Sequence, residues 1–396
     1  MRAMRTLFLF LLFVSSARAQ WWKVETSGID TNLRGLSAVY VQDAKGVRAP
    51  VVWASGSNGV ILRSLDEGQT WQRLRVTGGD ALDFRGIVAL NATIAYVMSS
   101  GEGEKSHIYK TTDGGETWTL QYTDKRKEFF LDALKCVTEW ECVALGDPID
   151  GKFLLLRTED GQHWNPLPSD KMPKALPGEG AFAASNSSLL FGGPEILFGT
   201  GGGTVARIFH SNDSGRTWTA VETPMAARNS SAGIFSLARD FKKIFAVGGD
   251  YKDPNRSSRS AAYSADDGKT WRLVAQSPGG YRSGVAWVRD DPTLWVVVGP
   301  NGEDVSKDSG LRWKHTDSLN LNAVVILDIW DGWAVGPHGT IARFVNQRGY
   351  LIHNLDPQCP PTSAASLVAD YPQKACSPGL KKHSYFEFLY RLAPSS

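Results

Sequence analysis

Short apolar runs separated by tight, glycine-bearing polar turns fill the chain from about residue 20 to residue 349, and segments of helical period are few. The pattern predicts many short strands. A recurring octet punctuates it. Ser64-Leu65-Asp66-Glu67-Gly68-Gln69-Thr70-Trp71 returns at Thr111 to Trp118, at Ser211 to Trp218 and at Ser264 to Trp271, each time with a small hydroxyl, Asp, Gly, Thr and Trp at fixed offsets. Two copies are worn: Arg157 to Trp164 has Glu159 for Asp and His163 for Thr, and Ser306 to Trp313 has Arg312 in place of Thr. The residues suit a hairpin. Asp accepts backbone N–H groups inside the turn, Gly supplies the positive-φ position, and Thr-Trp opens the next strand with a large apolar anchor. Asp66, Asp113, Asp213, Asp266 and Asp308 are therefore read as structural, because a carboxylate bonded to its own turn has no reason to face a substrate.

From each octet Trp to the next is 47, 46, 54, 53 and 42 residues, the length of one four-stranded propeller blade. A seventh blade explains the two ends. Trp333-Ala334-Val335-Gly336-Pro337-His338-Gly339-Thr340-Ile341 matches Trp53-Ala54-Ser55-Gly56-Ser57-Asn58-Gly59-Val60-Ile61, the two middle strands of blade one, yet no octet follows it. Trp21-Trp22-Lys23-Val24 lies one blade length before Trp71 and supplies the missing outer strand. The predicted fold is all-β: a seven-bladed β-propeller of four-stranded blades, closed by the N-terminal strand completing the last blade, which removes free sheet edges. Inner strands are expected to begin near Arg34, Arg85, Leu131, Gly180, Ala232, Ser283 and Leu321.

The ends of the chain change the picture in one respect, the compartment. Residues 1–19 read as a secretory signal, with Arg2 and Arg5 before the apolar run Leu7 to Val14 and Ala17-Arg18-Ala19 as a cleavage site. The run is too short to span a bilayer, so an exported protein, periplasmic or extracellular, without a membrane span is expected. The domain order is then signal 1–19, propeller 20–349 and a Pro-rich extension 350–396, packed on the ring or disordered. Cysteines form two local pairs, Cys136 with Cys142 and Cys359 with Cys376, best read as disulfides after export, although four cysteines allow three connectivities. Neither pair has the spacing of a zinc site, and no metal or cofactor is expected. Loss of three Arg with the signal turns 43 basic and 41 acidic residues into 40 and 41. A nearly neutral chain gives no support to nucleic-acid binding.

In a propeller the inner-strand starts and the loops between second and third strands share one face, here called the upper face, and the octet turns lie on the opposite, lower face. The upper mouth of the central channel is expected to gather Arg34, Arg85, Asp132, Glu179, Tyr281 and Arg282. Loops should add Asp147 and Asp150 from blade three, Glu195 from blade four, Asp250, Tyr251, Lys252, Asp253 and Arg256 from blade five, and His338 from blade seven. The stretches Phe191 to Thr204 and Gly248 to Ser260 look like the longest loops, and scaffolds place function on such loops. A solvated rim of mutually paired charges is the alternative for any single residue. The run Gly199-Thr200-Gly201-Gly202-Gly203 lacks the Lys-Ser/Thr and the helix of a phosphate loop, and reads as a wide loop.

The octets resemble the Asp-box, or BNR, repeat of sialidases, sortilin-type receptors and the photosystem II stability/assembly factor family. Blade length, second strands of Trp-Ala-Val-Gly type and boxes such as Thr111 to Trp118 resemble that last family most, over roughly residues 21 to 346. The resemblance implies an assembly-factor-like scaffold that binds a protein or peptide through a patch of arginines, best matched by Arg34, Arg85 and Arg282. The loops of blades four and five and the cysteine-bearing extension depart from it, so a photosynthetic partner is not implied. The alternative is a sialidase-like glycoside hydrolase acting on carbohydrate, with Glu179, Asp132 and Tyr281 as its catalytic groups. Residue types for it are present, but the F/Y-R-I-P start is missing, since Arg34 is followed by Gly35-Leu36.

Overall fold

A computed structural model describes residues 22–42, 46–241 and 243–344. The signal at 1–19, the extension at 350–396 and the Cys359–Cys376 pair lie outside the described residues. Strands collect into seven four-stranded antiparallel sheets, each running from an inner to an outer strand in chain order, except the last. Blade one is typical: Leu33–Gln42, Arg48–Gly56, Ile61–Ser64 and Gln72–Leu74. Blade seven takes Ala323–Ile326, Gly332–Val335 and Thr340–Phe344 from the end of the ring and Trp22–Thr26 from its beginning, with Trp22 paired to Phe344. The expected closure is present. Trp22 is buried, meets Phe344 edge to face at 5.4 Å, and donates from Nε1 to the Glu303 carboxylate of blade six.

The core lies between blades because each sheet is apolar on both faces. Val51 and Trp53 of blade one pack with Ile87 and Val97 of blade two, and Phe153 of blade three with Phe198 and Phe209 of blade four. Every blade thus buries its neighbours' middle strands, and no blade has a core of its own.

The octet turns are held as their residues require. Ser64 Oγ donates to Asp66 Oδ1 (2.8 Å) and accepts from Gly68 N–H (2.8 Å). Asp66 accepts from both the N–H and the hydroxyl of Thr70, at 2.9 and 2.6 Å. The same set recurs around Asp113, Asp213 and Asp266, and around Asp308 with Arg312 replacing Thr. The worn copy in blade three needs a correction. Its acid is Asp160, not Glu159: Thr158 caps Gly161, and Asp160 accepts from the His163 N–H and ring at 2.8 and 2.7 Å. One residue has been lost between the hydroxyl and the glycine, which shifts every later position relative to the octet. In the same blade Cys136 and Cys142, directly paired across the inner and second strands, form the expected disulfide.

Blade four differs from expectation. Its inner strand does not begin at Gly180, which makes only an isolated bridge to Gly201; the ladder starts at Leu189, in the strand Leu189–Gly192. Between them residues 181–188, mostly Ala and Ser with low strand propensity, leave the sheet and cross the channel. Asn186 accepts from Leu134 N–H of blade three (2.7 Å) and donates to Ile87 O of blade two (3.4 Å). Ser187 meets Ser236 of blade five at 2.7 Å, and Ser185 donates to Ser283 O of blade six at 2.5 Å. Gly86 permits the approach, since a Cβ there would lie 2.6 Å from Asn186 Oδ1. This plug divides the channel into an upper and a lower mouth.

Candidate functional site at the upper mouth

The inner strands of blades one, two, three and five each carry one extra residue near their start, so that pairing jumps past Arg34, Arg85, Asp132 and Phe235. Such a bulge turns its side chain out of the strand's alternation and re-aims it. Four blades thereby present two arginines, one acid and one aromatic at equivalent positions above the plug.

Arg85 pairs with Asp83 at 2.7 Å, both partly exposed, and reaches Ala183 O of the plug at 3.4 Å. Arg34, half-buried, has no carboxylate within ion-pair distance among the described residues; the end of the Asn32 side-chain amide lies 3.0–3.2 Å from its guanidinium. Burial and the nearby Arg85 charge lower its pKa, and Asp83 and Tyr281 oppose that. The two guanidiniums therefore share a site with less negative charge than would neutralise them. Asp132, behind them, is buried with Oδ2 unpartnered. Burial, then the neighbouring Asp147, raises its pKa well above the carboxylate range, and Arg85 works against this. Asp147 is itself raised by burial and accepts from Ala181 N–H at 3.0 Å.

The opposite side of the mouth is aromatic. Phe182 of the plug stacks on Phe235 at 3.9 Å, Tyr281 meets Phe235 edge-on at 4.8 Å, and Tyr251, 46% exposed, continues the group at 6.1 Å. Burial raises the Tyr281 pKa, which keeps the phenol neutral. Asp250, Lys252, Asp253 and Arg256 sit beside Tyr251 on the exposed loop of blade five, where Asp250 accepts from Asn229 and Lys252 N–H at 2.9 Å each. Asp150 is exposed on the blade-three hairpin, and His338 pairs with Asp30 at 3.0 Å on the outer rim.

Three expected members are elsewhere. Arg282 is fully buried, bound to the Asp304 carboxylate and to Asn301 at 2.5 Å, so its charge is spent inside blade six. Glu179 is buried against Arg207 and accepts from Thr200 at 2.6 Å and Leu176 N–H at 2.8 Å. Glu195 lies on the lower face: Phe191 to Thr204 is not one long loop but the end of strand Leu189–Gly192, a tight turn and strand Glu195–Gly199. There it binds His210 at 2.8 Å and Arg239 at 2.6 Å. The remaining loop, with Pro177 and Arg228, lines an open depression of about 540 Å³ on the upper face. Sequence reasoning missed Phe182, Phe235 and the plug. An Arg-Gly pair accompanies the bulged strand starts at Arg34-Gly35 and Arg85-Gly86, but Phe235 is followed by Ser236 and Phe182 by Ala183, so no such local signal marked them.

No protein-family model matches the chain, and no curated protein matches it in sequence. Solved structures do match. The chain is similar in fold to YCF48. A structure of YCF48 bound to D1 peptide superposes with a TM-score of 0.58 at 14% identity, covering 83% of this chain and 97% of that one. YCF48 from Cyanidioschyzon merolae gives 0.58 at 15%, covering 82% and 99%. The GH74 xyloglucanase from Xanthomonas campestris gives 0.56 at 15% and covers 82% of this chain, which spans about half (54%) of that enzyme. Resemblance to the photosystem II assembly factor propeller thus extends from the octets to the whole ring, and it is a likeness of fold.

Proposed function

We propose that this chain is an exported, non-enzymatic scaffold that binds a protein or peptide segment across the upper mouth of the ring. The observation that carries the reading is the pair Arg34 and Arg85, bulged out of two adjacent inner strands, under-neutralised and facing an aromatic wall. An extended segment with a carboxylate and an apolar side chain meets both halves of such a site. Its carboxylate takes charge-assisted hydrogen bonds from the guanidiniums, and its apolar part covers the accessible rings of Phe182 and Tyr251. The floor made by residues 181–188 keeps the segment on the surface rather than in a tunnel. That YCF48 is seen with a D1 peptide supports this mode of use for the fold without indicating which partner this chain takes.

The glycosidase reading has less support. Glu179 is held by Arg207, Tyr281 is packed among aromatics, and Asp132 is buried, so these three do not flank one open cleft. A pull-down from the exported fraction of the source, with the mature protein and an Arg34→Ala/Arg85→Ala variant, tests the proposal beside a glycosidase screen. A partner retained by the wild type and lost by the folded variant is expected. Glycoside hydrolysis with no partner overturns the reading.

A further inference from the structure

The lower face carries apolar side chains that nothing described covers. Phe241, at the tip of the hairpin between the inner and second strands of blade five, is 85% exposed and rests edge-on against Trp287 of blade six at 5.6 Å. Trp287 lies in Gly284–Val288, near the lower end of that inner strand, and is itself partly exposed. Next to it the Asp290 carboxylate accepts from Ile329 N–H of blade seven, whose hairpin adds partly exposed Ile329. The patch therefore runs from blade five to blade seven across consecutive hairpins. A side chain as large as Phe241 at this exposure on a hairpin tip is a marker of an interaction surface.

The described chain leaves the ring at this face. Phe344 ends the third strand of blade seven and pairs with Trp22, where the other blades turn through an octet into their outer strand. Beyond it the sequence continues for 52 residues, which extended reach on the order of 170 Å. They include Tyr385-Phe386-Glu387-Phe388-Leu389-Tyr390, a dense run of aromatic and apolar residues. We infer that this C-terminal stretch docks on the lower face, over Phe241, Trp287 and the blade-seven hairpin. Tethering favours it over a second copy. A segment held by a linker of this length faces the patch at an effective concentration up to the millimolar range, far above that of a free partner. The inference is independent of the upper-mouth proposal, since the two surfaces lie on opposite faces of the plugged channel.

Hydrogen–deuterium exchange on the full-length protein tests it, comparing wild type with Phe386→Asp/Phe388→Asp and with Phe241→Asp. Phe241 is exposed and lies outside the ring's core, and the upper loop 250–260 serves as an internal control. The expected result is that the tail variant speeds exchange at least tenfold in 239–244 and 284–288. Phe241→Asp reciprocally speeds it in 380–392, and the control loop is unchanged in both. Equal rates in all three proteins would overturn the inference, as would protection that rises with protein concentration, which points to a second copy instead.

Discussion

A guanidinium held by a buried carboxylate and one without a carboxylate partner respond differently to removal. Arg282→Ala leaves Asp304 buried without its partner, an expected loss of about 3–5 kcal/mol in urea unfolding. Arg34→Ala removes no ion pair within the described residues and is expected to cost only about 1 kcal/mol while weakening partner binding. A large stability loss for Arg34→Ala would make it a structural residue. The octet turns offer a gain. Glu67 and Asp267 occupy φ of +64° and +57°, where blade two has Gly114. Asp267→Gly should raise the urea midpoint by an amount equivalent to about 0.5–1 kcal/mol, because L side chains are strained there, whereas Glu67→Gly also removes the ion pair of Glu67 with Arg343 of blade seven at 2.8 Å. At this scale the sequence was legible where a residue bonds locally. The octet acids are settled by partners within four positions, whereas the fate of Arg282 depends on Asp304 and Asn301, about twenty residues away in the next strands, and no local pattern distinguishes it from Arg34.

Strands and turns respond to solvent conditions through their fixed charges. Hydrogen bonds from Thr117, Thr217 and Thr270 hold Asp113, Asp213 and Asp266 near a pKa of about 2, below the ordinary value near 4 that they regain on unfolding. A depressed carboxylate contributes fully above its unfolded pKa and loses that contribution as pH falls through its folded one. Stability should therefore drop between about pH 4 and pH 2, and replacing the three acids with Asn should flatten that part of the profile in thermal melts. The Cys136–Cys142 disulfide closes a short loop, so Cys136→Ser/Cys142→Ser is expected to cost about 2 kcal/mol in chemical denaturation. Blade four shows why elements were only partly legible. Apolar runs marked its middle strands, but the departure of residues 181–188 follows from hydrogen bonds to four other blades, which appear only when the ring is closed.

For the whole molecule the decisive device is the joint between the two ends of the ring. Trp22 donates to Glu303, whose carboxyl burial pushes up to about 8, with Thr316 donating to it at 2.7 Å and partly opposing the shift. An acid whose folded pKa is raised is ionised first in the unfolded chain, so stability falls as pH rises from about 4.5 to about 8 and is level above that. Glu303→Gln should remove this slope; an unchanged slope would place its origin elsewhere. Closure was legible because strand-to-strand spacing counts blades and an unpaired outer strand at one end needs its complement at the other. The upper mouth was half legible. Its arginines follow from inner-strand starts, while its aromatic wall needed the plug and the bulge at Phe235.

The account turns on whether the upper mouth binds a partner through Arg34 and Arg85. The most direct measurement is the dissociation constant of the captured partner segment for wild type, for Arg34→Ala/Arg85→Ala and for the lower-face variant Phe241→Asp, each verified as folded. The account predicts at least a hundredfold weakening for the arginine variant, stronger at low salt, and no change for Phe241→Asp. Equal affinity of the arginine variant and the wild type would contradict it.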